Sequence, residues 1–235
     1  MLEIIRDFIF PKRCLFCREF IGEEADICPA CWHNLNFINE PFCQICGSKF
    51  EYKIADNISC GACIKEPPKY DIARHLLVFD EYSKKMIHKF KYCDQTNLAP
   101  VMAKLLWQKY RTEISQADYI MPVPSHWLKR LIRLYNQAQI LAYYLARIAN
   151  KPIQNPLRKI KWSKAQSKLS REARKRNLRG SFMVIDKKLV KNKNIILVDD
   201  VYTTGSTVNI CAQKLHRAGA RHVMVLTIAK THKLA

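Results

Sequence analysis

A chain of 235 residues, 49% of them apolar, can bury one substantial core and carry a small appendage, but not several large domains. Its net charge of +20 favours polyanions as partners. No apolar run approaches the ~20 residues that cross a bilayer, and residues 1–12 lack the basic start, apolar middle and small-residue cleavage site of a secretory signal, so a cytoplasmic protein that is not an integral membrane protein is expected.

In chain order, Leu2, Ile5, Phe8 and Ile9 have helical spacing and predict a short amphipathic helix that ends at Pro11. Eight of the ten cysteines then fall as four Cys-x-x-Cys pairs: Cys14/Cys17, Cys28/Cys31, Cys43/Cys46 and Cys60/Cys63. Two such pairs supply four thiolates, the tetrahedral set of a structural Zn²⁺, so one or two zinc sites are expected. Disulfides are the competing explanation and fit a reducing compartment poorly. The spacing of the pairs suits sequential ribbons, with a cross-braced arrangement as the alternative. Gly47 and Gly61 each follow a cysteine and are read as positive-φ positions that turn backbone N–H groups toward a thiolate. His33 is read as a surface residue, Cys211 as core, and Cys93 lies outside the pattern.

Pro67-Pro68 marks a boundary. It divides the chain into a zinc ribbon domain with its N-terminal helix, residues 1–66, and a larger domain, residues 70–235. In the larger domain, strands are predicted at 73–79, 119–123, 181–185, 195–198 and 222–228. They alternate with helices at 82–90, 98–110 and 136–148 and with a further helix that opens at 203–207. This alternation predicts an α/β architecture: a parallel sheet flanked by helices, with ligands at the carboxyl ends of its strands.

The charge is uneven. Residues 1–70 carry 8 Lys/Arg and 10 Asp/Glu, whereas residues 151–193 hold 15 basic side chains against Glu172 and Asp186. A small phosphorylated ligand would engage only a few of these, so single-stranded nucleic acid is the expected partner for the rest. Trp162, set among Lys159, Lys161 and Lys164, is placed to stack on a base or, alternatively, to pack the loop. No groove-reading motif is visible.

The most informative stretch is residues 195–207, IILVDDVYTTGST. Four apolar residues in succession read as a strand buried on both faces, and the Thr-Thr-Gly-Ser-Thr run opens a helix. Unpaired N–H groups and the dipole at a helix start favour an anion, hydroxyls add donors, and Gly205 permits close backbone approach. Asp199 and Asp200 repel a phosphate, but accept hydrogen bonds from sugar hydroxyls or hold Mg²⁺ through its waters. The combination points to a phosphorylated ribose. The competing reading is a Rossmann-like strand ending in Asp-Asp, with Thr203 and Thr204 as helix caps only.

Residues 195–207 closely resemble the phosphoribosylpyrophosphate (PRPP) signature of type I phosphoribosyltransferases. Residues 120–137, IMPVPSHWLKRLIRLYNQ, and 166–182, QSKLSREARKRNLRGSF, resemble blocks of the ComF family of competence proteins, as do the cysteine pairs. The resemblance implies a type I phosphoribosyltransferase-like parallel sheet preceded by a double zinc ribbon, with PRPP or a ribose phosphate as ligand and Mg²⁺ accompanying PRPP. It assigns Asp199 and Asp200 to the ribose as catalytic residues, and Thr203, Thr204, Gly205, Ser206 and Thr207 to the 5′-phosphate. Ser125, His126, Lys129, Arg130 and Arg133 fall in the pyrophosphate loop, and residues 158–179 form a mobile loop whose Lys159, Lys161, Trp162, Lys164, Arg171 and Arg174 also face DNA. His126 reads equally as an ordinary loop residue, since it has no acid or base partner in sequence, and Leu134 stands where the family has Gly. The resemblance also implies a role in DNA uptake and natural transformation, on single-stranded DNA and alongside the competence helicase and a DNA-uptake channel. The alternatives are an active PRPP-dependent phosphoribosyltransferase whose acceptor the sequence does not identify, and a non-catalytic PRPP-sensing regulator that binds nucleic acid.

Overall fold

The computed structural model describes residues 11–22, 24–52, 58–92, 96–125, 136–160 and 180–231. The expected helix at 2–9, Cys93, residues 126–135 and residues 161–179 lie outside them. Two short helices, α1 (Pro29–His33) and α2 (Gly61–Lys65), belong to the cysteine-rich segment. Then follow β1 (Ile72–Val78), α3 (Glu81–Tyr92), α4 (Leu98–Ser115), β2 (Tyr119–Pro122), α5 (Gln137–Ala149), β3 (Leu157–Lys159), β4 (Phe182–Val184), β5 (Asn194–Tyr202), α6 (Ser206–Arg217) and β6 (His222–Lys230).

Strands β1, β6, β5 and β2 form one sheet in that order, and every pairing is parallel. The cause is visible in β5 and β6, whose uninterrupted apolar runs suit burial on both faces. Successive side chains alternate between the faces. Ile195, Leu197, Val223 and Val225 pack with Val208, Cys211 and Leu215 of α6. Ile196, Val198, Met224 and Leu226 pack with Leu106 of α4 and Leu141 and Leu145 of α5 on the other side. The expected parallel sheet with helices on both faces is therefore present, and Cys211 is core.

Three details differ from expectation. The strand near 181–185 is not part of the parallel sheet: β4 pairs antiparallel with β3 in a separate two-stranded sheet. Buried Phe182 beside exposed Met183, and buried Leu157 beside exposed Arg158, give the alternation of a half-buried pair rather than the continuous run of a central parallel strand. The signature strand does not stop at residue 198; it continues through Asp199 and Asp200 to Tyr202, paired with β6 along the way. Helix α4 passes its expected end at Tyr110, where φ −122°, ψ 31° marks a kink. The Tyr110 hydroxyl donates to the His75 carbonyl at 2.6 Å, which ties the kink to β1.

The outer edge of β1 is covered by the cysteine-rich segment. Val78 N–H donates to Asn36 O at 2.8 Å, Ile38 N–H to Leu76 O at 3.0 Å, and Ala73 N–H to Ile45 O at 2.7 Å. An edge strand that would otherwise present unpaired backbone is thus satisfied by the ribbon. No helix among the described residues is long and apolar enough to cross a membrane.

Candidate functional site

The cysteines gather as two sequential sets, Cys14, Cys17, Cys28 and Cys31, and Cys43, Cys46, Cys60 and Cys63, with the sulfurs of each set within 4.8 Å of one another. A tetrahedral ZnS₄ unit with bonds near 2.3 Å has sulfur–sulfur edges of about 3.8 Å. Cys17 Sγ and Cys28 Sγ lie 3.6 Å apart, and Cys46 Sγ and Cys60 Sγ 3.7 Å. Both sets fit structural zinc, and the sequential arrangement holds over the cross-braced one.

The two sets share a local construction. Cys28 N–H donates to Cys14 Sγ at 3.3 Å, and Cys60 N–H to Cys43 Sγ at 3.2 Å, so a backbone donor offsets thiolate charge in each. Each first pair is followed by a positive-φ residue, Arg18 (φ 71°) and Gly47 (φ 61°). Gly61 does not have that role. It is the first residue of α2, after Cys60 in extended conformation, because a second Cys-x-x-Cys pair here turns through a short helix rather than a left-handed residue.

The second set is joined to the sheet through buried polar groups. His75, in β1, is buried; its Nε2 lies 2.9 Å from Cys46 O and its Nδ1 2.7 Å from Thr227 Oγ1. Because a carbonyl only accepts, Nε2–H is the donor to Cys46 O, and Nδ1 shares the Thr227 hydroxyl proton with Ala229 O, 3.1 Å from that hydroxyl. Burial, with the Lys230 charge nearby, holds the His75 pKa well below its ordinary value, so the ring is neutral. Lys230, at the end of β6 and also buried, donates to Cys46 O at 3.1 Å and places its ammonium 4.0 Å from the Tyr202 ring centroid. Burial pulls its pKa down while the facing cysteine sulfurs oppose the shift. Tyr202 closes the chain of contacts: its hydroxyl lies 2.8 Å from that of Tyr70, and a Cβ on Gly205 would fall 2.1 Å from the same oxygen.

Gly205 has φ +68° and precedes α6 without a side-chain cap. The Thr204 hydroxyl lies 2.8 Å from that of Ser206, and Ser206 N–H points to Thr204 Oγ1 at 3.4 Å. The N–H groups of Thr207 and Val208 have no hydrogen-bond acceptor among the described residues. This loop is an open helix N-terminus rimmed with hydroxyls, an arrangement that suits an anion. Asp199 and Asp200 lie just before it, half-buried. Asp200 N–H donates to Asp199 Oδ1 at 2.9 Å and Val201 N–H to Asp200 Oδ1 at 2.7 Å, so each carboxylate is held against the backbone of the next residue. Alternation sends the two to opposite faces of the strand, Asp199 toward α6, where its charge helps burial raise the Cys211 thiol pKa.

The carboxyl end of β2 lies beside β5, with Pro122 paired to Val198 and Val123 N–H donating to Val198 O at 2.8 Å. The loop after β2 therefore starts next to the acidic pair. Ser125 Oγ is buried there with no hydrogen-bond partner among the described residues. His126, Lys129, Arg130, Arg133 and Leu134 of that loop, and Lys161, Trp162, Lys164, Arg171 and Arg174, lie outside the described residues; Lys159 is on β3, its Nζ 5.6 Å from the Phe182 ring centroid. Sequence reasoning did not single out Tyr70, His75, Tyr202 or Lys230. The available signal was a His and a Lys inside otherwise apolar strands, since buried titratable groups need specific partners.

Fold and site together define an α/β protein with an anion-suited loop at the carboxyl end of a parallel sheet, fronted by two Cys₄ zinc sites. Residues 5–64 match the double zinc ribbon domain. The chain is 29% identical over 229 residues to competence protein F of Haemophilus influenzae, covering 94% of this chain and 98% of that one. To the DNA utilization protein YhgH of Salmonella typhimurium it is 28% identical over 231 residues, again 94% and 98%. The similarity to both relatives thus runs along nearly the whole of this chain and of theirs. Among solved structures, glutamine PRPP amidotransferase from B. subtilis, in complex with ADP and GMP, matches with a TM-score of 0.43 and 19% identity, over 60% of this chain and 30% of that one.

Proposed function

We propose that the protein binds PRPP or a ribose phosphate at the loop 203–207 and single-stranded DNA on its basic surface, acting in DNA uptake and natural transformation. The observation that carries the ligand reading is the convergence of three features at one end of the sheet: the open N-terminus of α6, the acidic pair of β5 and the Ser125 hydroxyl on the adjacent strand's loop, which is buried without a partner among the described residues. In this reading Thr203, Thr204, Gly205, Ser206 and Thr207 hold the 5′-phosphate, while Asp199 and Asp200 face ribose hydroxyls or the waters of Mg²⁺. Ser125, His126, Lys129, Arg130 and Arg133 meet pyrophosphate, and Lys159, Lys161, Trp162, Lys164, Arg171 and Arg174 close over the ligand and meet DNA. As an enzyme, the protein would stabilise an oxocarbenium-like ribose while the C1–pyrophosphate bond breaks, the cations neutralising the departing group. The division into a ribbon unit, 1–66, and a larger unit, 70–235, belongs to the same proposal, as do contacts with a competence helicase and uptake channel.

The names of the relatives, competence protein F and DNA utilization protein, support the DNA part of the reading. The test replaces Asp199 and Asp200 by Asn and measures PRPP–Mg²⁺ and oligonucleotide binding separately. PRPP binding is expected to fall tenfold or more with DNA binding retained; unchanged PRPP binding would remove the acidic pair from the site.

A further inference from the structure

A cavity of about 750 Å³ lies between the second zinc ribbon and the loop before α6; the phosphate assignment uses its Thr203, Thr204 and Ser206 side and leaves its ribbon side without a ligand. Its size is that of a small-molecule site. Phe50 and Tyr202 line it, the Tyr202 ring with the Lys230 ammonium 4.0 Å from its centroid, and Lys49 and Lys69 line it as well. Lys230 is held by Cys46 O, whereas neither Lys49 nor Lys69 has a carboxylate partner among the described residues, and Glu66 is the single acidic residue of the lining. Gln213, on α6, lines the same space.

This combination selects for a ligand that is flat and apolar on one part and anionic on another. An inorganic phosphate would leave the ring walls unused, and an aliphatic chain would leave the lysines unpaired. We propose that the cavity holds one nucleotide of single-stranded DNA, its base against Phe50 and Tyr202, its edge facing Gln213 and its phosphate met by Lys49 and Lys69. The inference rests on the single-strand reading above and gives that strand a fixed point beside the 203–207 loop, because Thr203 and Thr204 line the cavity too. The second zinc ribbon then acts as one wall of a nucleotide site, in addition to covering the sheet edge.

The test uses the full-length, zinc-loaded protein and a single-stranded thymidine 12-mer that carries one 5-iodouracil. After irradiation the cross-linked peptide is mapped. The expected cross-link is on Phe50 or Tyr202, and Phe50→Ala should weaken binding by roughly five- to a hundredfold, the range of one lost base–aromatic stack. Lys69 is exposed, so Lys69→Glu keeps the fold even if the Phe50 variant does not, and should weaken binding several-fold with a shallower salt dependence. Cross-links confined to residues 158–179, or full affinity in Lys69→Glu, would overturn the cavity assignment while leaving the single-strand reading intact. Absence of any binding at low salt would overturn both.

Discussion

The two zinc ribbons repeat one local geometry but stand against very different surroundings. In the first, Cys17 is exposed, and the docking is on α3: the Phe16 ring stacks on Tyr82 at 5.8 Å, and Lys89 Nζ donates to Phe16 O at 2.8 Å. In the second, Cys43, Cys46 and Cys63 are all buried. The carbonyl of Cys46 is the acceptor for both His75 and Lys230, and Arg74 Nη1 donates to Gln44 O at 2.9 Å while its Nε faces Glu113 at 3.4 Å. A set of four thiolates thus has one meaning when it braces a loop on a helix and another when its backbone satisfies charged and titratable groups inside a sheet. The difference arises from residues 29 and 184 positions away, not from the cysteine motif.

The sharpest way to break this comparison is to remove one site at a time. Cys46→Ser should lower the zinc content by one equivalent, cost about 4 kcal/mol or more, and lower phosphate-ligand affinity at least tenfold, because Tyr202 and the loop it supports lose their backing. Cys17→Ser should also remove one equivalent of zinc yet leave ligand affinity within about twofold, since its neighbours lie away from β5. Metal analysis, thermal melts and ligand titration on both variants decide it; equal losses would mean that the ribbons are interchangeable braces.

Gly205→Ala comes next. The new Cβ would meet Tyr202 Oη at 2.1 Å and sit at φ +68°, where a non-glycine residue costs roughly 1–2 kcal/mol. Ligand affinity should drop about tenfold with only a moderate fall in melting temperature. Retained affinity would show that Tyr202 does not set the loop.

The smallest effect is expected far from either ribbon, at Asp118. Its Oδ2 accepts from Asn194 N–H at 2.7 Å and its Oδ1 from Lys193 Nζ at 3.1 Å, which joins the starts of β2 and β5. The Asn194 N–H, with Lys193, holds the carboxyl pKa below its ordinary value. A depressed folded pKa means stability that is complete above the unfolded value, near 4, and lost as pH falls through the folded one. Asp118→Asn should therefore cost about 1 kcal/mol at pH 7, a figure kept small by the group's partial exposure. The gap from wild type should close as pH falls through the folded pKa, below the unfolded value, as followed by denaturant unfolding; a gap independent of pH would assign the cost to packing.

How much of this was legible follows from the strength of each signal. The strand at 195–198 and the one at 222–228 are long apolar runs that only a doubly buried position explains, and the cysteine pairs announce their own chemistry. The three-residue strands β3 and β4 carry too few alternations to reveal a partner. Arg18 adopts the left-handed conformation that Gly47 adopts in the second ribbon, and an arginine gives no hint of that. Tyr70 and Tyr202 sit 132 residues apart in sequence and meet through their hydroxyls, a pairing that no local pattern encodes. His75 and Lys230 were the nearest to visible, as polar interruptions of apolar strands, but their shared acceptor, the Cys46 carbonyl, is a property of the tertiary fold.

The most direct test of the central claim is a calorimetric titration of the zinc-loaded, full-length protein with PRPP in the presence of Mg²⁺. Saturable binding of one PRPP per chain, weakened at least tenfold by Cys46→Ser and about tenfold by Gly205→Ala, is the predicted result. Absence of saturable heat with both zinc sites filled would contradict a ribose-phosphate site at the 203–207 loop.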